Sequence, residues 1–184
     1  MTVKHQKFTD DCVCNVVRDI VAAQDAVIKN DDCCTTSCEQ SIDQLLSPRV
    51  ENLVNTTIPF ILYCKDCTPF IGSGVFEGEL GASGNTFFGC VESPIFRAKR
   101  FVKGSDCCVQ LELLLPVTEG GATPGPTDSG VSDVCKFFPG RSIRDFQATG
   151  ICLTVDLNCF CGITCLDPIT PIPSGQFSMN SNDD

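Results

Sequence analysis

Apolar residues near the N-terminus recur at helical spacing. Residues three or four apart lie on one side of a helix, and the segment from Asp11 to Lys29 repeats apolar residues at this interval with a polar interruption at Gln24. Its apolar positions are Val13, Val16, Val17, Ile20, Val21, Val27 and Ile28. The spacing predicts an amphipathic helix over this segment.

A second, shorter helix is predicted from Cys38 to Ser47. Thr36 or Ser37 would cap its first turn, and Glu39 or Gln40 would complete a capping box. The apolar stripe that this helix is predicted to bury consists of Ile42, Leu45 and Leu46.

From Thr57 onward, short β-branched and aromatic runs alternate with Gly, Pro, Asn and Ser, which is typical of antiparallel sheet. The alternation around Val109, Leu111 and Leu113 puts these residues on one face of a strand. The same parity groups Ile151 with Leu153 and later apolar positions. The predicted strands are 57–64, 70–76, 86–91, 96–103, 107–115, 134–138 and 150–165.

These elements predict a mainly β fold, with an antiparallel β-sandwich-like core and one or two N-terminal α-helices, and an α+β arrangement as the alternative. We expect residues 1–48 to form a helical, cysteine-rich segment and residues 49–184 to form the β-rich core. Residues 116–133 are rich in Gly, Pro, Thr and Ser and are predicted to form an exposed, flexible loop. The tail from Ile169 is predicted to extend along a strand edge.

Composition narrows the class of protein. The net charge of −10 disfavours nucleic-acid binding, since phosphate neutralisation needs a cationic surface. Apolar runs stay well short of the roughly 18 residues that a membrane span requires, so no membrane insertion is expected. The first eleven residues lack the apolar core of a signal peptide, which predicts synthesis in a cytoplasm.

Fifteen cysteines in 184 residues are the most unusual feature. A chain of this length does not need disulfides to bury a core, and reducing cytoplasm opposes them. Strand parity predicts that Cys108 and Cys152 point away from the apolar faces of their strands, whereas Cys90 and Cys135 are interpreted as small core residues. The cysteines cluster at 12 and 14, at 33, 34 and 38, at 64 and 67, at 107 and 108, and at 159, 161 and 165.

Other chemistry is sparse. Cys64 and Cys67 have zinc-ligand spacing, but no second regular pair follows and His5 is the one histidine. A redox-active pair would sit where a strand meets a helix, whereas this pair lies between predicted strands. No cofactor, resident metal or enzymatic activity is predicted, and a zinc-thiolate-stabilised binding module remains the alternative.

One basic cluster stands out in this acidic chain. It comprises Arg97, Lys99, Arg100 and Lys103. The cluster is interpreted either as a charged edge strand that resists aggregation or as a contact for the acidic surface of a neighbouring copy.

Three stretches resemble the spore-coat family of CotY, CotZ and ExsY from spore-forming Bacillales. They are CVCNVVRDI at 12–20, TIPFILYCKDC at 57–67, and ESPIFR at 92–97 followed by Cys107 and Cys108. The resemblance implies a morphogenetic protein of the exosporium or outer coat and crust, made in the mother cell and exposed at the spore surface when that cell lyses. It further implies self-assembly into hexameric rings that tile into disulfide-stiffened lattices, with other coat or exosporium proteins as partners.

The cysteines are accordingly predicted to fall into two groups. Candidates for cross-links between copies are Cys12, Cys14, Cys33, Cys34, Cys38, Cys108 and Cys152, of which the first five would belong to an N-terminal cross-linking arm. Candidates for disulfides within one copy are Cys64, Cys67, Cys107, Cys159, Cys161 and Cys165.

Overall fold

The computed structural model describes residues 37–46, 55–80, 85–105, 107–125, 133–138 and 142–174. The helix predicted over 11–29 and the cysteines at 12, 14, 33 and 34 lie outside the described residues. The predicted domain boundary after residue 48 also lies outside them and stays a prediction. The secondary structure of the described residues is mainly antiparallel β with a short helix before it, which confirms the predicted fold class.

The helix, α1, spans Cys38–Leu46, close to its predicted bounds. Ser37 caps it as predicted, because the Gln40 amide donates to Ser37 Oγ at 3.1 Å. The predicted buried stripe is wrong at Ile42 and Leu46, which are 48% and 75% exposed; Leu45 is half-buried, and Ser41 is the buried residue. The buried Ser41 hydroxyl donates a hydrogen bond to the Ser37 carbonyl at 2.8 Å, so the helix can place this small polar side chain inward.

Seven strands form two antiparallel sheets. They are β1 Phe60–Cys64, β2 Gly72–Leu80, β3 Asn85–Ser93, β4 Phe96–Phe101, β5 Cys108–Thr118, β6 Ile143–Asp156 and β7 Phe160–Cys165. The larger sheet has the order β6-β5-β4-β1-β7, and β2 pairs with β3 as a separate hairpin. The single predicted run 150–165 therefore contains β7 and the second half of β6, whose first half, from Ile143, was not predicted.

Two short turns account for the main departures from the predicted strands. A 3-10 turn at Leu157–Cys159 divides the run 150–165, with the Asp156 carboxylate accepting from the Asn158 amide at 2.9 Å. The strand predicted at 134–138 is wrong, because Cys135–Phe137 forms another 3-10 turn that buries Phe137. The predicted loop begins later than residue 116, since β5 continues to Thr118.

The hairpin covers one face of the larger sheet. A Cβ on Gly72 would come within 2.7 Å of Phe96 and Leu113, and one on Gly74 would collide with Ile151. Val109, Leu111 and Leu113 are buried beneath this layer, and Ile151 and its same-face neighbours pack against them, which confirms the predicted parity of β5 and β6. The core is thus built between five strands and two.

The opposite face of the larger sheet is divided along β5. Leu114 packs with Ile61, Ile95, Phe146 and Ala148 in a second buried cluster. Towards the start of β5 the same face carries polar side chains and is half open to solvent. A register shift after Glu112 and a positive φ of 75° at Gly150 mark the boundary between the two parts.

The chain after β7 pairs with the sheet at two points. Ile169 bridges Thr57, and Ile172 bridges Gln147 beside the β6 edge. The Ile172 amide donates to the Phe146 carbonyl at 2.9 Å. These contacts confirm the predicted strand-edge extension from Ile169 for the residues that the structure describes.

Candidate functional site

One disulfide joins the helix to the sheet. Cys38 and Cys165 are bonded at 2.05 Å, with a sequence separation of 127 residues. Cys165 is the last residue of β7, opposite Phe60, and is 8% exposed. The structure thus corrects the assignment of Cys38 to a cross-link between copies, because α1 begins directly against the end of β7 and its thiol is used within the chain.

A group of three cysteines lies where β1 and β7 meet. Cys67 Sγ is 4.0 Å from Cys161 Sγ, and the Cys161 thiol donates to the Cys64 carbonyl at 2.9 Å. Cys67 has a φ of 65°, which lets the tight turn after Cys64 present its thiol to the neighbouring strand. Hydrogen bonding to the Cys161 thiol, and then the charge on that group, raise the pKa of Cys67. The Cys67 thiol thus lies next to the Cys161 thiol, and a disulfide between these two residues fits the geometry better than one between Cys64 and Cys67.

The part of the chain that the structure describes contains no set of zinc ligands, so the zinc-binding alternative has no support there. No group of three or more His, Cys, Asp or Glu side chains there could hold a metal ion. Cys64, Cys67 and Cys161 are neighbours where β1 meets β7, but their thiols do not converge on one point.

Glu112 organises the polar half of the sheet face. Its side chain is 4% exposed and accepts from Arg97 Nη2 at 2.7 Å and from Lys99 Nζ at 3.1 Å. The Gly150 amide adds a third donor at 2.9 Å. Burial alone would raise the pKa of Glu112, but the hydrogen bonds from Arg97, Lys99 and Gly150 outweigh it and hold the pKa below its usual value.

The basic cluster therefore divides into two parts. Arg97 and Lys99 neutralise the buried carboxylate, whereas Arg100 and Lys103 are exposed and form no ion pair among the described residues. The residues around a surface cavity of about 370 Å³ are Arg100, Phe101, Val102, Lys103, Gln110 and Thr154. Of the four cations predicted to contact a neighbouring copy, Arg100 and Lys103 therefore remain available for such a contact.

Cys152 lies next to this cluster. It pairs with Glu112 across β5 and β6 and is exposed, on the side that strand parity predicted. Partial burial, and then the Glu112 carboxylate, raise the pKa of Cys152. Cys108 lies on the same side of β5 but is half-buried. Of the two outward candidates, Cys152 is the more accessible.

The remaining described cysteines lie near strand ends. Cys107 is half-buried, and its carbonyl accepts from the Leu157 amide at 3.0 Å. Cys159, in the turn before β7, is exposed. The structure therefore forms no disulfide from Cys107 or Cys159, and their assignment within or between copies stays a prediction.

The interpretation of Cys90 and Cys135 as core residues is wrong. Both are exposed. Cys90 lies on the outer side of the hairpin because the next residue, Val91, points into the core at 7% exposure. Cys135 lies in the turn whose inward residue is Phe137. Alternation in the predicted strand 86–91 was the signal that could have identified Cys90.

Sequence reasoning also missed the outer surface of the hairpin. Val75 and Phe88 are 65% and 77% exposed there. Val75 is paired with Cys90, and Phe88 with Glu77. Two exposed apolar side chains thus lie beside an exposed thiol on the outer side of the hairpin.

The family model described as spore coat protein Z matches residues 1–168. The chain is 34% identical over 161 residues to spore coat protein Z of Bacillus subtilis (strain 168), covering 87% of this chain and 91% of that protein. The chain belongs to the spore coat protein Z family. The resemblance proposed from the cysteine-bearing stretches is thereby confirmed, and no solved structure matches the chain.

Membership of the spore coat protein Z family supports a structural role in the spore coat, at the spore surface, rather than catalysis. The exposed thiols and the charged surface residues are therefore interpreted as features of a structural protein of the spore coat. Within the described residues, no helix has the length and apolar character to cross a membrane.

Proposed function

We propose that this protein assembles with copies of itself into a disulfide-cross-linked, two-dimensional lattice in the outer layer of the spore, either the exosporium basal layer or the crust. The observation that carries the proposal is the position of the thiols relative to the core. The described residues close their core with one internal disulfide, Cys38–Cys165. Exposed thiols outside that core include those of Cys67, Cys90, Cys152, Cys159 and Cys161.

Thiols that the fold does not need are available to neighbours. An exposed cysteine contributes little to the burial that stabilises the protomer, and it is open to oxidation or exchange. A soluble protein of the cytoplasm gains nothing from such a surface. A protein released by lysis of its cell gains a surface that oxidation converts into covalent contacts.

Assembly precedes cross-linking in this mechanism. Heterologous contacts between copies close into rings, for which six copies are proposed, and the rings tile laterally. Each disulfide then forms as two thiols lose two protons and two electrons to molecular oxygen or to a small disulfide. Association aligns the thiols, and oxidation makes the contacts resistant to dissociation.

Two further contacts belong to the proposal. Arg100 and Lys103 are the cations left for an acidic neighbour. The N-terminal cross-linking arm is retained without Cys38, with the cysteines at 12, 14, 33 and 34 as its linking positions. Other coat or exosporium proteins would anchor the lattice.

Electron microscopy of the purified full-length protein tests this function. We expect ordered two-dimensional arrays after oxidation, and high-molecular-weight ladders on non-reducing electrophoresis that collapse with reductant. A variant with Ser at positions 12, 14, 33 and 34 should lose part of the ladder if the arm links copies. A protein that stays monomeric after oxidation would contradict the proposal.

A further inference from the structure

Two outward surfaces of the described fold are complementary. The hairpin outer face, made of Val75, Glu77, Phe88, Cys90 and Glu92, is acidic and apolar and carries one exposed thiol. Strands β2 and β3 contain three Glu and no Lys or Arg. The negative charge of the hairpin outer face therefore favours a cationic partner.

The second surface lies on the larger sheet and is here called the basic face. It consists of Arg100, Val102, Lys103, Gln110, Cys152 and Thr154, whereas Phe101 is paired with Val109 and lies on the hairpin side of the sheet. Val102 is 39% exposed, so this face also offers some apolar area. Cys152 supplies an exposed thiol on the same face as Arg100 and Lys103, which form no ion pair within the part of the chain that the structure describes.

The two surfaces look away from each other. The inner side of the hairpin packs on Leu113 and Ile151, which lie on one face of the larger sheet, whereas Cys152 and Thr154 belong to the other face by strand parity. One copy cannot bring its own two surfaces together. A copy that uses both surfaces contacts two neighbours head to tail, which is the heterologous contact that rings require.

We propose that the hairpin outer face of one copy docks on the basic face of a second copy, and that a disulfide between Cys90 and Cys152 joins them. This inference rests on the proposed self-assembly and names its interface. Val75 and Phe88 would cover Val102, while Glu77 and Glu92 would face Arg100 and Lys103.

The spacing of the two surfaces matches. A cavity of about 150 Å³ is enough for a benzene ring, so the open cavity of about 370 Å³ beside Thr154 and Arg100 can receive the Phe88 ring, with the Arg100 guanidinium against its face. Cys90 lies two residues from Phe88, and Cys152 two residues from Thr154. Two residues of strand span roughly 6.5–7 Å, which brings the thiols level when the ring is seated.

The covalent step is a thiol–disulfide exchange. A small disulfide such as oxidised glutathione accepts attack by the thiolate of one cysteine and releases one thiol, and the second cysteine then displaces the other. The S–S bond of the reagent is exchanged for the bond between Cys90 and Cys152, and the reagent leaves as two thiols. Docking precedes this step because it places Cys90 next to Cys152, whereas in the separate protomer the raised pKa of Cys152 lowers its thiolate fraction.

Isotope mixing tests the bond directly. Full-length protein made with ¹⁴N and with ¹⁵N is mixed in reductant, oxidised with oxidised glutathione and cleaved after Glu and before Asp. Residues 80–92 and 145–155 are released with one cysteine each. We expect these peptides to be disulfide-linked, with mixed-isotope pairs as abundant as pure ones. Their absence from oxidised arrays, or pure pairs alone, would overturn the inference.

Charge exchange tests the docking without the bond. Arg100→Glu and Glu77→Lys should each reduce array formation at least several-fold, and the double variant should recover it. Arg144→Glu changes another exposed arginine, on the far part of β6, and should leave assembly unchanged. Single variants that assemble normally, or a double variant that stays defective, would overturn the interface.

The two proposals fail differently. Wild-type arrays that lack the Cys90–Cys152 link leave the proposed function standing and refute this interface. Wild-type protein that forms no array refutes both.

Discussion

Glu112 shows how one residue couples the charge of the basic cluster to the sheet. The carboxylate is nearly inaccessible, yet it receives donors from β4 and from the Gly150 amide within β6. A buried acceptor with charged donors contributes more than a neutral hydrogen bond does. The residue therefore ties three strands together at the point where the face changes from apolar to polar.

We predict that Glu112→Gln lowers the free energy of unfolding by about 2 kcal/mol at neutral pH. The folded-state pKa of Glu112 is lowered, so its contribution is complete above the ordinary carboxyl pKa of about 4.3. The contribution is lost as the pH falls through the folded-state pKa. Denaturant unfolding from pH 7 to pH 3 should show the gap between wild type and variant closing in acid.

Glu119→Gln is the matched control for this change. Glu119 pairs with Arg144 at 3.4 Å, but both side chains are more than half exposed. An exposed pair contributes roughly 0–1 kcal/mol. A Glu112→Gln gap that persists undiminished below pH 3.5 would show that the carboxylate charge is not the cause.

At the scale of elements, the hairpin depends on glycines at its contact with the sheet. Gly74 lies where any side chain would meet the Ile151 methyl group. Glycine is here a matter of space, since its φ is not in the left-handed region. The close approach is what lets two strands cover the middle of a five-stranded sheet.

We predict that Gly74→Ala destabilises the protomer by about 1–3 kcal/mol, because the added methyl forces the hairpin off β6. Ile151→Ala should relieve most of that cost in the double variant. Chemical denaturation of the two single variants and the double variant measures the coupling. Gly125→Ala has open space around its Cβ and should change stability little; additive costs at 74 and 151 would contradict the packing argument.

For the whole molecule, the internal disulfide and the exposed thiols have different accessibility. Cys165 is 8% exposed, and closing a loop of this length stabilises a chain by about 4–5 kcal/mol in the chain-entropy estimate. Cys90 and Cys152 are exposed. Reductant reaches an exposed sulfur directly, but it reaches Cys165 only through opening of the fold and the half-buried Cys38 less readily than an exposed residue.

We predict a range of dithiothreitol concentrations in which oxidised assemblies dissociate while the protomer keeps its fold. Light scattering should report loss of assemblies, and circular dichroism should stay constant over that range. Cys38→Ser supplies the comparison, because its protomer lacks the internal bond and should unfold at lower denaturant. Loss of fold at the same reductant concentration as loss of assembly would contradict the separation.

Local patterns in the sequence determined much of the fold. Alternation located most strands and the outward position of Cys152, because a strand repeats every two residues. The Ser37 cap followed from the residue type at the start of the helix. Each of these features depends only on neighbouring residues. Family membership was likewise carried by local cysteine-bearing stretches.

Tertiary structure decided what depends on residues far apart in the chain. Cys38 finds Cys165 at a separation of 127 residues, and that contact, rather than the apolar stripe, sets which side of α1 faces inward. The clamp on Glu112 needs β4, β5 and β6 in register, and the exposure of Cys90 follows from which face of the hairpin meets the sheet. Periodicity specifies that a strand has two faces, but only packing against a second layer decides which of them is covered.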